Sequence, residues 1–163
     1  MTAAFLRGEE TPAQFAVQAW TLRQAYNGFN LFLGDADALW YVASEGAGPR
    51  ELGAGIYGLS NHLLDTPWPK VVGSKARFEA ALQGDDPEAG VFELLADRRL
   101  ADDDGLPDTG VGLELERGLS APFIVLPGYG TRSSTFVARS ASDSRLVERQ
   151  FGESGAALVR LSR

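Results

Sequence analysis

The sequence predicts an α+β fold in which a largely antiparallel sheet is layered against helices. Two observations carry this reading. Segments of helical and of strand period follow one another as helix, strands, helices, strands, whereas a parallel βαβ fold would alternate them. The last third of the chain alternates apolar and polar residues between turn clusters, the pattern of strands with one wet face.

The first helix has a written start. In TPAQFAVQAWTLRQAY (11–26), Thr11 can cap, Pro12 suits the first helical position and Gln14 completes a capping box. Phe15, Ala19, Leu22 and Tyr26 form one apolar stripe, and Asn27-Gly28 ends the helix. Strands are expected at Phe29–Leu33 and Leu39–Ser44, joined by a hairpin at GDAD. GAGPRELGAG (46–55) reads as loop and Gly55–Leu59 as a third strand. Helices follow at Pro69–Gln83, with Val71, Phe78 and Leu82 on one face, and at Pro87–Asp97. LADDDGLPDTG (100–110) is an acidic loop, and Val111–Leu119 holds one or two helical turns. Strands are expected near Phe123–Leu126, Ser133–Ser140, Arg145–Phe151 and Ala157–Leu161, with turns at SASDS and GESG.

Composition removes several chemistries. The 163 residues contain no cysteine and one histidine, which excludes disulfides, thiolate metal sites, a cysteine nucleophile and any multi-histidine metal site within this sequence. The net charge is −7 with the basic residues scattered, so a phosphate-tracking nucleic-acid surface is not expected. No apolar run reaches the roughly 18 residues of a membrane span, and the opening MTAAFLRGEETP lacks a signal-peptide core. A cytoplasmic protein with no cofactor is the expectation.

The span GIYGLSNHLLDTPWPKV (55–71) concentrates candidate chemistry. Ser60 and His62 share a strand-like spacing, but GLSNH lacks the second glycine of a nucleophile elbow, and Asp65 is too near in sequence to be presumed their orienting carboxylate. A turn with satisfied polar groups is the competing reading. Asp102, Asp103 and Asp104 lack the EF-hand ligand pattern and its closing glutamate, which leaves a solvated loop. PGYGTRSS (127–134) is neither a P-loop nor a dinucleotide fingerprint, although Arg132 after that turn could hold a carboxylate. Thr2 would become an N-terminal nucleophile if Met1 were removed, but the following AAFLRGEE does not read as a buried catalytic strand.

Four stretches read together resemble one family: FLRGEETPAQFAVQAW, YNGFNLFLGDADALWYVASE, GAGIYGLSNHLLDTPWPKVVGSKARFEAAL and SAPFIVLPGYGTRSSTFVARSASDSRLVERQF. In this order they are similar to the transport and Golgi organisation protein 2 family, also called the NRDE family. The resemblance implies an N-terminal-nucleophile (Ntn) hydrolase-like αββα sandwich of two antiparallel sheets. It implies that Asn61 of GLSN matches an oxyanion-hole asparagine and Arg132 of GTRSST an arginine lining the nucleophile site. Asn27 and Asn30 of YNGFN are further candidate ligand-binding residues, and Lys70 joins Arg132 as a partner for ligand carboxylates. Preorganised donors of this kind are what acyl transfer needs.

The sequence departs from the family pattern in having neither a Met-Cys start nor an Asn-Arg-Asp-Glu motif. It resembles the C-terminal three-fifths of the family, so residues 1–163 are expected to form a single, N-terminally truncated domain lacking the first strands. Such a chain is expected to pair with a second copy or with the missing N-terminal half, or to be marginally stable. Ligand binding or trafficking is the function the resemblance implies, with haem as one candidate ligand and His62 as its only available imidazole. The alternative is an Ntn amide hydrolase whose cysteine lies in a missing segment, and a purely structural module is a third reading.

Overall fold

The capping box forms as its residue types require: the Thr11 hydroxyl accepts from the Gln14 N–H at 3.3 Å, and the Gln14 carboxamide oxygen accepts from the Thr11 N–H at 3.0 Å. In the computed structural model, which describes residues 1–152 and 155–162, this box opens helix α2 (Pro12–Thr21). A helix the sequence analysis did not assign, α1 (Thr2–Arg7), precedes it. TAAFLR carries good helix formers but no capping side chain, and α1 is anchored by Met1 and Phe5, whose ring lies 5.3 Å from that of Phe15. The tail of the predicted helix tightens into a 3₁₀ turn, Arg23–Ala25, with the Arg23 guanidinium stacked 4.0 Å over the Trp20 ring.

The chain separates into two compact units, Met1–Leu64 and Asp65–Arg163. In the first, β1 (Asn30–Gly34), β2 (Leu39–Ala43) and β3 (Arg50–Leu52) form an antiparallel sheet in the order β1-β2-β3. The Asp35 carboxylate accepts from the Asp37 and Ala38 N–H groups, each at 2.9 Å, and so closes the hairpin predicted at GDAD. Leu33 and Val42 face Phe15, Ala16 and Ala19 of α2 in a fully buried cluster. On the opposite face Tyr41, Ala43 and Leu52 pack with Leu64, while Phe32 and Leu39 remain exposed.

One strand is corrected. Gly55–Leu59 is irregular, and the third strand is Arg50–Leu52, inside the stretch read as loop. Leu52 pairs with Leu39 and drops into the Tyr41 cluster, so one buried apolar residue anchors a strand too short to show a period. The glycines at 53, 55 and 58 keep the next segment out of the ladder; there the Tyr57 hydroxyl closes a turn on the Gly53 carbonyl at 3.0 Å.

The second unit begins with α3 (Pro69–Gln83), whose bounds match the prediction, followed by α4 (Pro87–Leu95), which stops two residues early. The two helices pack closely at Gly90, where a Cβ would lie 2.8 Å from that of Ala81. A 3₁₀ turn at Asp103–Gly105 and α5 (Leu113–Leu119) follow. β4 (Val125–Leu126) and β5 (Tyr129–Gly130) form a small hairpin, so the strand expected at Phe123–Leu126 is shorter and PGYG turns back onto it. The last sheet, β6 (Ser133–Arg139), β7 (Ser144–Gly152) and β8 (Gly155–Ser162), is an antiparallel meander. The GESG turn predicted between β7 and β8 lies partly outside the described residues.

α4 covers one face of this meander. Arg149 lies 3.8 Å over the Phe92 ring, Arg145 pairs with Glu88 at 2.5 Å, and Val147 is fully buried. Val137, Leu146 and Leu161 are cross-strand neighbours on the other face, where Val137 and Leu161 are exposed. The fold is thus mixed α+β with small antiparallel sheets. Among the described residues no helix is long and apolar enough to cross a membrane.

Candidate functional site

In the first unit, the loop that the sequence singled out is held by a hydrogen-bonded bracket on the sheet. Asn30 and Tyr41 sit on adjacent strands, one register step apart on the same face, because Asn30 pairs with Ala43 and Phe32 with Tyr41. The Tyr41 hydroxyl donates to Asn30 Oδ1 and accepts from the Leu64 N–H at 3.1 Å. Asn30 Nδ2 in turn donates to the His62 carbonyl at 3.1 Å. Two side chains therefore fix both ends of the 62–64 segment.

The bracket shapes a cleft of about 510 Å³. One wall comes from Gly28, Phe29 and Asn30 at the entry to β1, and the facing wall from Ser60, Asn61 and His62. The Ser44 hydroxyl accepts from the Phe29 N–H at 2.9 Å and stitches the sheet end beneath it. Asn30 has committed its carboxamide oxygen and one amide N–H to the bracket. Among the described residues no hydrogen bond engages the Ser60 hydroxyl or the Asn61 carboxamide, and Asn61 is exposed. Ser60 and Asn61 both line the cleft, and among the described residues Glu45 is the only carboxylate in its lining. Asn27 is exposed and does not line it.

In the second unit, Lys70 lies in the first turn of α3, half-buried, and lines a separate cleft of about 300 Å³. Its ammonium donates to the Leu119 carbonyl at 2.7 Å. Burial lowers the Lys70 pKa, and the nearby Glu116 carboxylate works against that shift. Glu116 is itself buried and accepts from the Thr109 N–H at 2.8 Å and hydroxyl at 2.6 Å. Arg132 is exposed just before β6; its carbonyl accepts from the Phe151 N–H at 2.7 Å, and it does not line the Lys70 cleft.

The remaining candidates take structural places. Asp103 is gripped by Arg117 through two hydrogen bonds of 2.7 and 2.6 Å, which hold its carboxyl below the usual carboxylate range. Asp65 is paired with Lys75 at 2.8 Å, and Thr2 is exposed on α1. Sequence reasoning missed Tyr41, whose polar tip is invisible in an apolar strand pattern. It also missed Arg77, Asp97 and Arg99 beside Lys70, although Lys70, Ser74 and Arg77 stand at i, i+4 and i+7 on one helix face.

Comparison with known proteins supplies the family. The family model for Transport and Golgi organisation 2 matches residues 1–153. The chain is 34% identical over 154 residues to the Transport and Golgi organization protein 2 homolog of Bos taurus, covering 84% of this chain and 55% of that protein. The Homo sapiens homolog is 33% identical over 127 residues, covering 69% of this chain and 46% of its own length. The Mus musculus homolog is 28% identical over 157 residues, covering 87% and 57%. The chain thus spans about half the length of the curated relatives it matches. With a family model matched along most of its sequence, this chain belongs to the Transport and Golgi organisation 2 family.

Proposed function

We propose that this chain binds a neutral, carbonyl-bearing small molecule in the cleft between Gly28–Asn30 and Ser60–His62. The observation that carries the reading is the division of labour between two asparagines. Asn30 is spent on holding the loop, which leaves Asn61, with Ser60, facing a space of about 510 Å³ with unused hydrogen-bonding groups. That volume falls within the few hundred to 1,000 Å³ typical of small-molecule sites. A carbonyl oxygen accepting from the Asn61 amide is the contact that the oxyanion role implied by the family resemblance would also use.

Binding, and not cysteine-dependent hydrolysis, is what these residues offer, because the sequence contains no cysteine. The hydrolase alternative assigns Asn61 the same contact and requires a nucleophile from outside this sequence. At the level of architecture we propose one Ntn-hydrolase-like domain over residues 1–163. The support is that each larger sheet carries helices on one face and exposes apolar side chains on the other, Phe32 and Leu39 in one and Val137 and Leu161 in the other. A layered sandwich covers such faces.

The binding reading is tested by titrating the protein with uncharged N-alkyl amides of graded acyl length while following amide NMR shifts. Saturable shifts at residues 28–30 and 59–63 are expected. Asn61→Ala should weaken binding about tenfold, the loss of roughly one hydrogen bond. A second reading, haem binding, is favoured by His62 lining the same cleft. It predicts a saturable change in the Soret band that His62→Ala abolishes, and a haem titration with no such change removes it.

A further inference from the structure

The second unit contains a cleft whose charges do not balance. Lys70 and Arg77 project from one face of α3, and Arg99 follows α4, so three cations line a space of about 300 Å³. Among the described residues the only carboxylate in that lining is Asp97. Both guanidiniums converge on it: Arg77 pairs with Oδ2, while Arg99 donates from Nε at 3.0 Å and from Nη2 at 2.7 Å. One carboxylate thus holds two arginines in fixed orientations. Asp97 is itself positioned by the backbone, its N–H donating to Leu94 O and its carbonyl accepting from the Phe123 N–H at 2.8 Å.

Lys70 is the exception. Its ammonium has three N–H groups and spends one on the Leu119 carbonyl. Among the described residues no carboxylate lies within ion-pair distance of it; the ammonium stands 5.9 Å over the Trp68 ring, and Glu116, whose charge acts on it, is bonded to Thr109. A half-buried ammonium without an ion-pair partner is costly to keep charged, and an incoming anion would relieve that cost. The Ser74 hydroxyl, one turn along α3, lines the same cleft, and Pro69, Leu100 and Pro122 give it apolar walls.

We propose that this cleft is a binding site for a small organic anion, a carboxylate or phosphate monoester. Lys70 makes the primary charge contact, and Arg77 and Arg99, held by Asp97, supply further N–H donors. The apolar walls take the short body of the ligand. This site shares no residue with the Asn61 cleft and does not rest on the reading given for it.

The test is calorimetric titration of the whole chain with three probes: inorganic phosphate, hexanoate and hexyl phosphate. Saturable binding of at least one probe is expected, and the preferred probe identifies which headgroup the site takes. Lys70→Gln should weaken that binding at least tenfold, whereas Arg117→Gln, a change of equal charge outside the cleft, should leave it within twofold. Because Lys70→Gln removes a half-buried contact, its folding is checked by circular dichroism. Amide shifts of wild-type protein on titration give an independent readout, expected at residues 70–77 and 97–101. Failure of all three probes to bind overturns the proposal. So does binding that Lys70→Gln and Arg117→Gln weaken alike, or shifts that map elsewhere.

Discussion

The Tyr41 hydroxyl is a hinge pin between strand and loop: it donates to Asn30 on the neighbouring strand and accepts from the Leu64 N–H at 3.1 Å. Leu64 is buried, so removing the hydroxyl strands a buried backbone donor. Tyr41→Phe should therefore destabilise the protein by about 1–3 kcal/mol. Equilibrium urea denaturation measures this, and faster hydrogen exchange at the Leu64 amide should accompany it. An unchanged midpoint would show that water replaces the hydroxyl at no cost.

Asn30 and Asn61 should respond differently to truncation. Asn30→Ala removes two of the three bracket bonds and should lower stability as well as perturb the 60–64 loop. Asn61→Ala touches no internal hydrogen bond among the described residues, so its stability change should stay within about 0.5 kcal/mol. Thermal denaturation of the two variants in parallel separates the residue that holds the loop from the one proposed to meet the ligand.

The α3–α4 contact sets two effects against each other at Gly90. Replacing a mid-helix glycine by alanine gains about 1 kcal/mol in helix propensity. Here the new methyl group would lie 2.8 Å from the Ala81 Cβ and 3.2 Å from its Cα, a clash with a short side chain and backbone that cannot swing aside. Overpacking of this kind costs about 1–3 kcal/mol. Gly90→Ala should thus be neutral to destabilising, and Gly90→Ala combined with Ala81→Gly should recover stability relative to the single variant. Denaturant midpoints of the two proteins decide the sign.

Asp97 gives the fold an acid-sensitive tie. Hydrogen bonds from Arg99, reinforced by the charge of Arg77, hold its carboxyl far below the ordinary carboxylate range. A carboxyl with a depressed folded-state pKa contributes stability above its unfolded value, near 3.9, and loses it as pH falls toward the folded value. Asp97→Asn should be less stable than the parent at neutral pH, and the gap should narrow as pH drops below about 4. Stability measured from pH 7 to pH 2 checks this, and a gap that widens in acid would reverse the assignment.

What the sequence disclosed and what it hid follow from the range of the interactions. The Thr11 capping box, the GDAD hairpin and the exact bounds of Pro69–Gln83 rest on contacts a few residues apart, where residue type nearly dictates geometry. Arg50–Leu52 was hidden because three residues show no period, and its strand identity comes from Leu52 reaching the Tyr41 cluster. The family resemblance implied an oxyanion role for Asn61 and a ligand-binding role for Asn30, but not that Asn30 is bonded to Tyr41 and the His62 carbonyl. That bonding depends on Tyr41 standing across the strand pair, a relation set by register. The Lys70 cleft needed residues 70, 77, 97 and 99 brought together by the turn between α3 and α4 and the chain leaving α4, which no local pattern encodes.

The central claim is that Asn61 presents its carboxamide to a ligand while Asn30 holds the loop. The most direct measurement is the affinity of an uncharged N-alkyl amide for the parent protein and for Asn61→Ala, read from NMR shifts at residues 28–30 and 59–63. The account predicts saturable binding that weakens about tenfold in the variant at nearly unchanged stability. Equal affinity in both proteins, or no saturable binding of any amide in the series to the parent, would contradict it.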